Sequence, residues 1–397
     1  MTGVVSRLPS SKSLSNRALI IQAMMGGEGK LENLSDANDT RLMQRLLHTP
    51  NEVIDAEDAG TVMRFLTAFF SITGKKKVLT GTARMQQRPI RELVDALRTL
   101  GASISYEAAE DYPPLRLHGF PAQQVNTLSI RGDISSQFIS ALMMVAPALP
   151  NGLTLSLTGR VASRPYIEMT AALMGHFGVN PRFDGQVIQI PTGTYRPNPY
   201  RVEPDWSAAS YWFAMAALAR KASLLLPGVI RTSLQGDQVI ADIMSQLGVQ
   251  ATAEADGLRL SGGGPRVEKL QVDFSGCPDM AQTVLPVCAV LGVPGEFTGM
   301  ESLRIKETDR VAALQKELAK IGATLTEQPG RWELVPRNPG NPLPPSVQIS
   351  TYEDHRMAMG FAPLATRTRV TLDERTVVRK SYPHFWEDLA VVGFQLG

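Results

Sequence analysis

The sequence predicts an α/β protein of about two domains, built from a repeated α-plus-β unit. Four times a helical stretch ends in an apolar residue, a Gly, then Ala or Val, before a strand-like run. The instances are Leu100-Gly101-Ala102, Phe177-Gly178-Val179, Leu247-Gly248-Val249 and Ile321-Gly322-Ala323. These glycines recur about every 70–80 residues, so each repeat holds more than one helix with strands between. The 397 residues are 43% hydrophobic and 20% charged, which supplies apolar material for two cores.

The elements follow from local pattern. In segment 90–100, Ile90, Leu93, Val94, Leu97 and Leu100 fall on one helical face, and Val311, Leu314, Leu318 and Ile321 repeat this in 311–321. Each Gly suits a helix C-cap, where a left-handed backbone is wanted and a Cβ is costly. Ala102-Ser103-Ile104-Ser105-Tyr106 then alternates as a strand does. The Pro-rich stretches 191–204 and 336–345 read as loops, the first near mid-chain as a domain boundary.

Composition excludes several classes. Forty basic and 38 acidic residues leave a net charge of +2, without the basic excess of a general nucleic-acid or membrane-surface binder. Two cysteines, Cys277 and Cys288, make neither a disulfide framework nor a metal cage, and the five histidines have no ligand spacing. Residues 1–9 carry no apolar signal core, and the most apolar stretches, 138–149 and 211–218, are too short to cross a bilayer. A cytoplasmic location is the default expectation.

Chemistry concentrates at helix starts. Polar, mostly basic loops at 84–88, 163–164, 231–237 and 304–310 precede helices. A helix N-terminus is already partly positive, so cations gathered there point to a bound anion. Ser10-Ser11-Lys12-Ser13-Leu14-Ser15-Asn16-Arg17 leads into an apolar helix, with Lys12 and Arg17 flanking hydroxyls in a way that suits phosphate or carboxylate. It lacks the glycines of a Walker loop. Asp58-Ala59-Gly60-Thr61 lets a ligand approach the backbone, and Ser135-Ser136-Gln137 and Ser163-Arg164-Pro165-Tyr166 open further helices. Asp279 reads first as a cap, and beside an alcohol as a group that orients or deprotonates it. In 304–310, Lys306 and Arg310 share a face if the turn is helical, with Glu307 a carboxylate among cations. Asp354-His355-Arg356 and Arg379-Lys380 close the series. Taken singly, each is more often an ordinary cap or a solvated salt-bridged surface.

Taken in order, the run 8–17, Gln87-Arg88-Pro89-Ile90, Ser135-Ser136-Gln137, Ser163-Arg164-Pro165-Tyr166, Lys306-Glu307-Thr308-Asp309-Arg310, Asp354-His355-Arg356-Met357-Ala358-Met359 and Arg379-Lys380 resemble the 5-enolpyruvylshikimate-3-phosphate synthase family over nearly the whole chain. The resemblance implies an inside-out α/β barrel fold of repeated βαβαββ units, three to a domain. One domain would cover 10–203 and the other 1–9 with 204–397, the substrates binding in the cleft between them. It implies transfer of the enolpyruvyl group of phosphoenolpyruvate to the 5-hydroxyl of shikimate-3-phosphate by addition and then elimination of phosphate. Lys12, Ser13, Arg17, Ser135, Ser136, Gln137, Ser163, Tyr166, Asp279 and Lys306 would hold shikimate-3-phosphate. Lys12, Gly60, Arg88, Gln137, Arg310, Arg356 and Lys380 would hold phosphoenolpyruvate. Asp279 and Glu307 would handle protons, with Lys12 a further candidate. No metal or organic cofactor is implied, and the family is usually monomeric.

The sequence departs from the family pattern at a few places. Asp58 stands where Asn is usual, Ser302 where Asn usually contacts shikimate-3-phosphate, and Phe65 where Pro is typical. The stretch 48–58 is short, so the first unit is expected to lack a strand pair. The sister transferase acting on UDP-N-acetylglucosamine usually carries a catalytic Cys in the loop matching 83–88, and none is there. A non-catalytic phosphometabolite-binding protein of the same fold is the alternative from another class. Lys12, Asp279 and Glu307 argue against it, while Asp58 and Ser302 are what it would rest on.

Overall fold

The structure, a computed structural model, describes residues 1–338 and 340–397. Pro339, inside the Pro-rich stretch 336–345, lies outside the described residues. The chain divides into two compact units, Met1–Ser11 with Asp36–Asn38 and Glu203–Gly397, and Lys12–Ser35 with Asp39–Val202. Each has its own continuous apolar core.

The repeat is explicit in strand order. In the unit containing Lys12, Val53–Asp55 pairs parallel with Lys77–Thr80, which pairs antiparallel with Leu115–Gly119, and Ser103–Tyr106 closes the edge. Helices Gly60–Ile72 and Arg91–Leu100 make the crossovers. Strands Thr127–Arg131, Leu153–Thr158, Val187–Ile190 and Arg182–Asp184 repeat the arrangement around helices Ser136–Val145 and Arg164–His176. The other unit holds two sheets of the same order, one running through Thr2–Val4 and Ser223–Pro227, the other through Leu270–Asp273 and Gly295–Thr298. Each is a βαβαββ unit.

Two units are cut short. Leu31–Glu32 pairs only with Tyr200–Arg201, and the chain passes from helix Asn38–Leu47 straight to Val53–Asp55 in the next sheet. This is the missing strand pair expected before residue 58. The second is a correction, because full units were expected elsewhere. Ser346–Ile349 pairs only with Arg369–Leu372, and helix Phe385–Val391 follows where a hairpin would stand.

The four repeat glycines have φ of +117° at Gly101, +88° at Gly178, +95° at Gly248 and +81° at Gly322, the left-handed region a C-cap needs. The most apolar helices sit in the cores. Trp206–Leu218 is buried at every position except Ser207, Gly60–Ile72 except Thr61, and Ser136–Val145 except Gln137. Trp206–Leu218 is apolar on nearly every side, so 3.6-residue patterning is absent from it. In each of the three helices, the second residue is the one left less than fully buried.

The glycine caps differ in what a Cβ would meet. At Gly322 it meets only the Cβ of Arg337 at 3.5 Å, whereas at Gly248 it collides with the backbone carbonyl of Gly264. Gly322→Ala should cost about 1–2 kcal/mol for the left-handed backbone. Gly248→Ala should cost clearly more and lower the melting temperature further in thermal unfolding. Equal shifts would contradict the close packing at Gly248.

Candidate active site

The unit containing Lys12 gathers one set of the residues singled out from sequence. Helix Lys12–Met24 starts at the Ser-rich loop, and Lys12 pairs with Asp39 at 3.0 Å. Arg17, one turn on, is 2% exposed. Its Nε donates to the Thr170 hydroxyl at 2.7 Å, and its terminal nitrogens donate to the Ser13 carbonyl at 3.0 Å and the Ser140 hydroxyl at 3.1 Å. No carboxylate among the described residues pairs with it. Burial pushes its pKa down to about 10, so it remains a cation at neutral pH.

Ser135 caps helix Ser136–Val145, accepting from the Gln137 amide at 3.3 Å, and the Gln137 side chain donates to Thr61 at 3.0 Å. Ser163 sits at φ +54° before helix Arg164–His176 and makes no capping bond with its side chain. A left-handed conformation is uncommon for Ser and marks a locally over-determined backbone. Gly60 begins a helix whose cap, Ala59, supplies no side-chain oxygen. A Cβ on Gly60 would lie 2.8 Å from both terminal nitrogens of Arg88 and against Arg64 as well. Only glycine lets two buried guanidiniums approach that helix start so closely.

The other unit gathers Asp279, Lys306, Glu307, Arg310, Arg356 and Lys380. Arg310 is 1% exposed. It donates to Asp354 through Nε at 2.7 Å and a terminal nitrogen at 3.2 Å, to Asp279 at 2.9 Å and to Glu307 at 2.8 Å. Arg356 reaches Asp279 at 3.1 Å, Lys306 approaches it at 3.8 Å, and Lys380 lies 3.9 Å from Glu307. Burial raises the pKa of Asp279, but Arg356, Lys306 and Arg310 outweigh it and hold the carboxyl well below the usual range. Burial likewise works against the Arg310 charge, and Asp354, Glu307 and Asp279 more than restore it.

Two readings are corrected. Residues 306–309 are not helical, because helix Arg310–Ala319 begins only after Asp309, whose carboxylate caps the Ala312 amide at 3.0 Å. Lys306 and Arg310 meet through Asp279 rather than along a helix face. Asp279 is not a cap either: it lies within the 3-10 turn Pro278–Met280, its oxygens turned to guanidinium groups. Asp58 and Ser302 both keep partial exposure.

A sequence model of the family described as EPSP synthase (3-phosphoshikimate 1-carboxyvinyltransferase) matches residues 44–389. This chain belongs to that family. The 3-phosphoshikimate 1-carboxyvinyltransferase of Bacteroides fragilis (strain ATCC 25285) is 48% identical, the match covering 98% of this chain and 95% of that one. The protein of the same name from Burkholderia lata is 35% identical over 97% and 96% of the two chains. A solved EPSP synthase of Acinetobacter baumannii shares the fold with a TM-score of 0.75 at 20% identity, over 98% of this chain and 95% of that one. The chain is therefore an enzyme of the transferase class.

Several residues beside those singled out were not read as site residues from the sequence. Asp39 holds Lys12, Thr61 holds Gln137, Asp354 holds Arg310, and Arg64 crowds Gly60 beside Arg88. Thr61 and Asp354 lay inside motifs already singled out, and Arg64 lies one turn after Gly60. Asp237 ends the polar loop 231–237 noted from the sequence, and Ser207 had no such signal. The Ser207 hydroxyl donates to Asp237, and Arg356 donates to that hydroxyl at 3.3 Å. Burial pushes the Asp237 pKa up to about 6, with Arg356 opposing and Asp279 reinforcing the shift.

Asp237 therefore binds its proton more tightly folded than unfolded. Its contribution to stability is full below the ordinary carboxylate pKa of about 4, and is lost as pH rises through about 6. The loss is on the order of 3 kcal/mol. In Asp237→Asn it should be absent. Urea denaturation should show the variant gaining on the wild type as pH climbs through this window, then holding level. A pH-independent difference would show that Asp237 does not titrate there.

Proposed function

We propose that the enzyme transfers the carboxyvinyl group of phosphoenolpyruvate to the 5-hydroxyl of shikimate-3-phosphate with the residues named above. Arg17, Ser13, Ser135, Ser136, Ser163, Tyr166 and Lys306 hold shikimate-3-phosphate. Gly60, Arg88, Arg310, Arg356 and Lys380 hold phosphoenolpyruvate, and Lys12 and Gln137 serve both. The 5-hydroxyl attacks C2 as the methylene carbon takes a proton. The adduct then returns that proton and expels phosphate, which forms the enol ether.

The observation that carries this assignment is the buried, carboxylate-free guanidinium of Arg17. A charge removed from water is costly unless compensated, and shikimate-3-phosphate brings a phosphate and a carboxylate to compensate it. The two substrates together bring about five to six negative charges, which the named lysines and arginines roughly match. Asp279 and Glu307 handle protons, with Lys12 a further candidate. Asp279 is a weak base while Arg356 and Lys306 face it. Substrate anions that draw on those cations raise its pKa and let it accept the hydroxyl proton. A cytoplasmic monomer is the setting that the family resemblance implies.

Phosphate release from phosphoenolpyruvate, with shikimate-3-phosphate or UDP-N-acetylglucosamine as acceptor, tests the substrate assignment. Release is expected with shikimate-3-phosphate alone. Absence of release with either, with thermal stabilisation by both substrates retained, would favour a binding protein. In the same assay Glu307→Gln should abolish turnover while shikimate-3-phosphate affinity changes by no more than about threefold, the pattern of a group acting in the transition state. Near-normal turnover would remove Glu307 from proton transfer.

A further inference from the structure

We propose that Phe65 is a positioning residue for shikimate-3-phosphate recognition, its ring fixing the Arg17 guanidinium without neutralising it. The inference rests on the reading that Arg17 binds that substrate. Phe65, on helix Gly60–Ile72, is fully buried. The Arg17 guanidinium carbon lies over its ring at 5.3 Å from the centroid and over the Tyr166 ring at 5.9 Å. Both distances fall within cation–π range.

Donor geometry says what this arrangement is for. A guanidinium has five N–H groups in a rigid fork. Arg17 commits one to Thr170, one to the Ser13 carbonyl and one to Ser140, each from a different nitrogen. One N–H therefore remains on each terminal nitrogen, the pair that a bidentate oxyanion accepts from. Arg310 shows the contrasting solution, with Asp354, Asp279 and Glu307 supplying the counter-charge. A carboxylate at Arg17 would compete with the substrate's own anion. An aromatic ring attracts the cation through its quadrupole, adds no negative charge, and takes up none of its N–H groups. A proline, typical of the family at this position, has no π face to offer.

The test compares Phe65→Met, which keeps apolar volume without a ring, with difluorophenylalanine at the same position, which keeps the ring but weakens its quadrupole. The KM for shikimate-3-phosphate should rise roughly threefold to thirtyfold in Phe65→Met, with a smaller rise in the same direction for the fluorinated ring. kcat and the KM for phosphoenolpyruvate should stay within about twofold. The Arg17 Nε proton resonance, shifted by ring current, should move in Phe65→Met. An unchanged KM for shikimate-3-phosphate, or equal rises for both substrates with a lower melting temperature, would overturn the proposal in favour of plain packing. Arg17→Lys separates the two layers. An unchanged shikimate-3-phosphate KM there overturns the proposal through the reading it rests on. A raised value there with none in Phe65→Met overturns the Phe65 step alone.

Discussion

A buried guanidinium must find compensation for the water it has lost, and this enzyme solves that constraint in two opposite ways. Arg310 is compensated from within, by Asp354 on two nitrogens and by Asp279 and Glu307 on the outer edge. That network fixes the geometry of the two carboxylates proposed to handle protons, because each is tied to the same rigid planar fork. Arg17 is compensated by hydroxyls, a carbonyl and aromatic rings, none of which cancels its charge. The first solution holds two carboxylates in a fixed frame; the second leaves a charge that no carboxylate of the protein neutralises.

Helices buried almost throughout form the cores, and in each the second residue is the one that keeps some exposure: Thr61, Gln137 and Ser207. Thr61 and Gln137 join two such helix starts by one hydrogen bond, and Ser207 links Asp237 to Arg356. The rest of each helix is rigidly packed, so these groups are held by elements rather than by loops. Hydrophobic burial thus sets the positions of the polar groups.

Much of this was legible in the sequence. The four glycine caps exposed the repeat because only a left-handed backbone ends those helices economically, and the short 48–58 stretch exposed the first truncated unit. The second truncated unit was not legible, because strand Arg369–Leu372 is followed by a helical segment with no length anomaly to betray a missing hairpin. Helix Trp206–Leu218 gave no amphipathic signal, since burial on all sides erases periodicity. The misplaced helical face for Lys306 had a readable cue in Asp309, a strong N-cap residue one position before Arg310. Supporting groups such as Asp39 and Ser207 are brought in by tertiary structure from distant sequence, and no spacing rule reaches them.

The central claim is that Arg17 is kept buried for a ligand rather than for the fold. The most direct measurement pairs urea denaturation of ligand-free Arg17→Met with its calorimetric affinity for shikimate-3-phosphate. Replacing a buried charge that no carboxylate neutralises by an apolar side chain should leave ligand-free stability equal or higher. Affinity should fall by at least about thirtyfold, the lower end for losing a buried charge partner. Affinity intact alongside a stability loss of several kcal/mol would contradict the account and make Arg17 a structural residue.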